Sequence, residues 1–258
     1  MFRWLALGSL TGLVSGFFGI GGGIILVPVL ILGIGMQRRR ASGTSLGIIV
    51  FVAGTGVAVD VVESAESRPA ILAALLIIPG AILCSRLAAR FASRVPARVL
   101  RRLFGLVLLL AAVRLMDMLP ARLSTLRYAD FSALNILLLP VLGCVVGSVS
   151  ALAGIGGGVI LVPALAMTFA DLDIIQCRAT SLLIVAPIAF SGFVEHQRQG
   201  TADLGWVRRL APACVAGAAI GALVVHRVPP GHIRQVFGVF LALVGLWVVL
   251  VEDPKTRP

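Results

Sequence analysis

Stretches without a single Asp, Glu, Lys or Arg divide this chain: 4–37, 41–59, 69–85, 131–170, 179–194, 210–225 and 235–251. A helix that crosses a bilayer needs about 20 predominantly apolar residues, within roughly 17–25. The runs at 4–37 and 131–170 are far longer than that. As single helices rising ~1.5 Å per residue, they would overshoot a ~30 Å hydrocarbon core. Each holds the cluster G-I-G-G-G in its interior, at 19–23 and 154–158. Glycine costs a helix interior about 1 kcal/mol relative to alanine, so four within five residues predict a break. Two short helices then meet at the glycines as a hairpin that enters and leaves on one side.

The chain also repeats itself. Gly12–Pro28 recurs as Gly147–Pro163, with Ser15 on Ser150, Gly19 on Gly154, Gly23 on Gly158 and Pro28 on Pro163. Thr44-Ser45-Leu46 matches Thr180-Ser181-Leu182, and Val95-Pro96 matches Val228-Pro229. Two homologous halves follow, 1–121 and 131–251, joined by the polar linker 122–130. The first holds the broken helix 4–37 and spans at about 41–61, 69–91 and 99–119. The second holds the broken helix 131–170 and spans at about 179–195, 207–226 and 232–251, with 252–258 as a cytoplasmic tail. The fold class is an all-α polytopic membrane protein.

Composition agrees: 59% of the 258 residues are hydrophobic and 13% charged, against about 45–50% and 25% in soluble domains. A soluble enzyme, a nucleic-acid module and a disulfide-stapled secreted fold are excluded. The net charge of +11 comes from arginines in short loops, where basic residues set topology. With a hairpin and three spans per half, the halves are inverted, and 15 of the 22 basic residues gather on the inner side. Single crossings of the long runs would split them 10 against 12, which specifies nothing. The count predicts inverted repeats with both termini cytoplasmic, and the first helix is expected to be retained rather than cleaved. Cys84, Cys144, Cys177 and Cys214 form no C-x-x-C pair and read as packing residues. Neither a cofactor nor a metal is expected.

A broken helix inside a membrane is tolerated where its freed backbone is buried in protein or lines a wet cavity. The second helix of each hairpin should begin near Gly22–Gly23 and Gly157–Gly158. Its first N–H groups have no intrahelical acceptor and carry partial positive charge, the form of an anion site. The candidate substrate contacts are therefore Gly19, Gly21, Gly22, Gly23, Gly154, Gly156, Gly157 and Gly158, with Pro28 and Pro163 as helix-break or kink residues. Thr44, Ser45, Thr180 and Ser181 either donate to an oxyanion or bond back to a carbonyl four residues earlier. Arg178, standing where the first half has Ser42, is placed in a loop, either solvated or steering anions. Every carboxylate is placed near a span end, so the proton relays built on intramembrane acids are not expected. The Gly8-x-x-x-Gly12-x-x-x-Gly16 pattern, Gly217 and Gly221 read as helix packing.

Two copies of S-x-x-x-G-I-G-G-G-x-x-x-V-P, each followed by T-S-L, in a short chain of this kind resemble the sulfite exporter TauE/SafE family. The resemblance covers nearly the whole chain. It implies an inner-membrane transporter that moves sulfite or organosulfonates outward, with the glycines of both motifs and the two Thr-Ser pairs on the family pattern. Ala179 departs from it, since the first half has Gly43 there. The partners are then a small anionic substrate and the lipid bilayer, with no nucleic acid and with a homo-oligomer left open. The alternatives are a transporter of another small solute or a cation on the same scaffold, and a non-transporting membrane assembly subunit. Reporter fusions after Glu66 and Asp173 should read external, and fusions after Val95 and Gly200 cytoplasmic. A cytoplasmic signal at Glu66 or Asp173 contradicts the inverted arrangement.

Overall fold

The computed structural model describes residues 2–63, 70–91, 97–116, 133–153, 157–169 and 172–250. Among them the first half forms α1 (Phe2–Phe18), α2 (Gly23–Pro28) continuing into a π-helical turn (Val29–Gly33), α3 (Arg38–Glu63), α4 (Ile71–Phe91) and α5 (Ala97–Leu115). The second half forms α6 (Ala133–Ala153), α7 (Gly158–Thr168), α8 (Ile174–Arg198), α9 (Leu204–Val225) and α10 (Pro230–Leu250). The order repeats element for element, α1–α5 against α6–α10. The linker and the tail lie outside the described residues.

The helices present apolar side chains outward. Leu32 and Val62 are 83% and 85% exposed, and Leu10, Leu75, Leu83, Leu110, Leu243 and Leu250 are also exposed. The buried set includes Thr11, Ser15, Thr44, Ser45, Asp60, Arg178, Thr180 and Ser181. An apolar exterior around a partly polar interior suits lipid as solvent, since polar groups cannot be left facing hydrocarbon. Helices α3, α8, α9 and α10 are long and apolar enough to cross a membrane.

The first long run is interrupted where the glycines stand. Gly19, Gly21 and Gly22 have φ of 71°, 71° and 80°, in the left-handed region that glycine enters without a Cβ penalty. Beyond them the chain doubles back, and a Cβ on Gly33 would lie 2.8 Å from the ring of Trp4, at the start of α1. One straight helix from Trp4 to Gly33 would hold these two positions about 40 Å apart. Pro28 ends α2 and opens the π turn, which accommodates its missing N–H. Phe18 anchors the end of α1 on α10, stacked with Phe237 and Phe240 at centroid distances of 5.1 and 4.8 Å.

The halves interdigitate rather than sit side by side. Helix α1 packs on α9 and α4 on α6, while α3 pairs with α8 and α5 with α10. Small residues let these backbones touch. Methyl groups on Gly12 and Gly16 would overlap the Cys214 and Ala218 carbonyls, and on Gly217 and Gly221 those of Ser9 and Leu13. The matching Gly147 meets Ala81 in the same way. The equivalent helices run antiparallel: Gly47 meets Phe193 and Gly56 meets Leu182. Likewise Gly105 meets Val249 and Gly238 meets Met116.

Overfilling such a contact forces backbones apart at a typical cost of 1–3 kcal/mol or more. Gly12→Leu should lower the unfolding temperature of the detergent-purified protein, whereas Gly54→Ala, with nothing within 4 Å of a new Cβ, should leave it unchanged or raised.

Candidate functional site

Helix α2 starts at Gly23 behind a left-handed N-cap at Gly22 (φ 80°), and α7 starts at Gly158 behind Gly157 (φ 77°). Neither cap residue supplies a side-chain bond to the helix it opens. These starts fall where the sequence placed them. Gly154 and Gly156 lie outside the described residues.

The two breaks meet. A Cβ on Gly158 would lie 2.5 Å from the carbonyl oxygen of Ile20, so the second helix start rests on the backbone of the first glycine cluster. Between them sits Ser181, fully buried, whose Oγ donates to the carbonyl of Gly19 at 3.1 Å and lies 3.5 Å from that of Gly158. Pro163 is buried inside α7, two turns beyond its start. A crevice too narrow for a water molecule lies at the first break, lined by Thr11, Ser15, Gly21, Gly22 and Cys214 among others. Ser15 Oγ is buried there without a hydrogen-bond partner, and a Cβ on Gly22 would stand 3.3 Å from it.

The remaining hydroxyls are spent on architecture. Thr180 Oγ accepts the N–H of Ala70, just before α4, at 2.8 Å and donates to the Gln176 carbonyl at 2.7 Å. Thr44 Oγ accepts the N–H of Asp203, the N-cap of α9, at 3.0 Å. The two threonines thus do the same job in opposite halves, each tying down the start of a helix in the other half. Ser45 donates to the Ser42 carbonyl at 3.1 Å. Of the four predicted hydroxyls, Ser181 alone is brought to the breaks.

Arg178 corrects the sequence reading. It is no loop residue: Asp173 caps α8 with a reciprocal side-chain bond to Gln176, so the helix starts before the arginine and carries it inward. Arg178 is 1% exposed. Its guanidinium donates to the carbonyl of Gly16, at the negative end of α1, and to Oδ1 of Asp60 on α3. Asp60 lies in the last turn of α3, near a span end as expected, yet it is fully buried. His226, the C-cap of α9, places Nε2 3.0 Å from the same Oδ1. The arginine stem also packs under Gly19, where a Cβ would collide with it. The cation is therefore part of the break.

Asp60 and His226 were missed because spans were drawn from one charge to the next. Asp60 is the first charge after the run 41–59, and it was read as the edge of the span although α3 continues to Glu63. The usable signal was that apolar Val61 and Val62 follow Asp60 before the next charge at Glu63.

A buried bundle with interrupted helices, an ion pair in its interior and an apolar exterior defines a multi-pass membrane transport protein rather than an enzyme. Comparison with known proteins gives the family. The model of the sulfite exporter TauE/SafE family matches residues 1–115 and 139–258, and the chain belongs to that family. Among its relatives, a probable membrane transporter protein of Methanocaldococcus jannaschii is 22% identical over 95% of this chain and 94% of its own length. The probable membrane transporter protein YunE of Bacillus subtilis is 24% identical over 95% and 96%. One from Haemophilus influenzae is 24% identical over 94% and 95%. No solved structure matches. Transport of a small solute across a lipid bilayer is the shared activity.

Removing one partner of a buried ion pair leaves an uncompensated charge, at roughly 3–5 kcal/mol. Asp60→Ala and Arg178→Ala should each destabilise by that order in thermal unfolding, and Asp60→Leu combined with Arg178→Met should cost much less than the sum of the single changes.

Proposed function

We propose that this protein is a secondary transporter that carries small oxyanions, sulfite or organosulfonates, outward across the inner membrane, and that the anion is held where the two breaks meet. The observation that carries the reading is Ser181, hydrogen-bonded to Gly19 and within 3.5 Å of the Gly158 carbonyl. It bridges the residue that follows α1 and the first residue of α7, and so holds together the two breaks after which α2 and α7 start with amides that lack intrahelical acceptors. Ser15, with its Oγ unpaired beside Gly22, adds a hydroxyl donor on the same face. Arg178 supplies the positive charge behind them. In this reading Gly21–Gly23 and Gly157–Gly158 contact the solute directly, because only a backbone without Cβ atoms lets an anion approach its amides closely.

The antiparallel course of α3 against α8 and of α5 against α10 supports inverted repeats. With the hairpin of α1 and α2 counted as no net crossing, both termini fall on the cytoplasmic side. In this reading a relative movement of the halves opens the breaks to one face of the membrane at a time.

A cation transporter on this scaffold is the competing reading, favoured by the carbonyls of Gly16, Gly19 and Gly158 that turn inward at the breaks. Arg178 weighs against it, since its guanidinium already occupies the Gly16 carbonyl and repels a second cation.

Purified protein in liposomes should release trapped sulfite or methanesulfonate faster than empty liposomes. Gly22→Val and Gly157→Val should each reduce the rate at least tenfold at unchanged protein incorporation. Sodium-dependent flux with no anion movement would instead establish the cation reading.

A further inference from the structure

The buried carboxylate in the last turn of α3 has no part in the family resemblance or in the anion reading, and its surroundings give it one. Asp60 Oδ1 is shared by Arg178 and His226, while Oδ2, equally buried, has no partner among the described residues. Arg178 Nε is likewise buried and unpartnered. The arginine therefore holds an internal anion with one oxygen and keeps a donor in reserve.

Resting on the anion reading above, we infer that Asp60 is the proton-coupling site of this transporter: it occupies Arg178 while substrate is absent, and it takes up a proton when a substrate anion displaces it. A guanidinium excluded from water needs one negative partner. When a substrate anion reaches the breaks, two negative groups compete for one cation in a space that excludes solvent. Like charges so placed cannot both stay ionised. A strong-acid anion keeps its charge, so the carboxylate takes the proton, from the aqueous phase onto the unpartnered Oδ2, and the net charge of the site is unchanged.

Among the described residues, the groups facing Asp60 are few. Helix α8 contributes Arg178, and α9 contributes His226, whose side chain is 7% exposed and hydrogen-bonded to the carboxylate. Glu63 follows one turn later on α3 itself and acts on His226 through its charge. Residues 4–37, which supply the remaining contacts of α3 from α1, α2 and the π turn, contain no Asp, Glu, Lys, Arg or His. His226, at the end of α9, is thus placed as the relay between Asp60 and the aqueous edge. A monovalent anion and its proton then move as a neutral pair, and their combined gradient, rather than membrane voltage, sets the direction.

The test uses the full chain purified in detergent and methanesulfonate, which stays ionised throughout the range studied, so that any proton taken up belongs to the protein. Calorimetry in buffers of different ionisation heat should register about one proton absorbed per anion bound, with affinity weakening as pH rises, by up to about tenfold per pH unit. Asp60→Asn should bind with no proton uptake and with an affinity independent of pH. Should that variant fail to fold, the proton count of the unaltered protein decides the matter alone. Binding without proton uptake by the unaltered protein overturns the coupling and leaves the anion site standing. Failure of both methanesulfonate and sulfite to bind overturns the anion site and the coupling together.

Discussion

Everything in this bundle is arranged around a guanidinium that has been taken out of water. Arg178 cannot shed its charge to escape the cost of burial, so the fold must bring it a partner. It does so from three directions: Asp60 from α3, the Gly16 carbonyl from the end of α1, and the glycine backbone over its stem. Those contacts join the two halves of the chain, and they do so at the point where the first long helix gives way. The interruption and the ion pair are one construction, because the carbonyl that Arg178 accepts as a partner sits in the last turn of α1, where the helix runs out of downstream donors.

Much of the framework could be read from residue order. Four glycines within five residues inside an over-long apolar run led to the break, and Gly22 and Gly157 are where the left-handed caps fall. The spacing of Gly12, Gly16, Gly217 and Gly221 led to close helix packing, and these residues touch the backbone of the opposing helix. Such features are local: the cost of a glycine or the reach of a methyl group is decided by neighbours a few positions away.

The site chemistry was much less legible. Asp60 and Arg178 are separated by 118 positions, and no spacing rule connects them. Counting charges as span boundaries pushed both outward, whereas each lies within a helix that continues past it. The threonines misled for a related reason. Thr44 and Thr180 recur because each half must fasten the first amide of a helix, a structural duty that duplication preserves as faithfully as a binding one. Ser181 differs from Thr180 by one residue, yet it faces a different neighbour across the bundle, and only the packing of α8 against the breaks distinguishes them.

The duplication is not complete where charge is concerned. In the first half Ser42 stands at the position of Arg178, and in the second half His196 stands at that of Asp60. A protein whose halves exchanged roles with full equivalence would have two end states of equal energy. Here the frame is doubled and its strongest electrostatic bond is single, so swapping the halves does not return the same molecule. On the proposed mechanism that asymmetry makes the two end states unequal in energy.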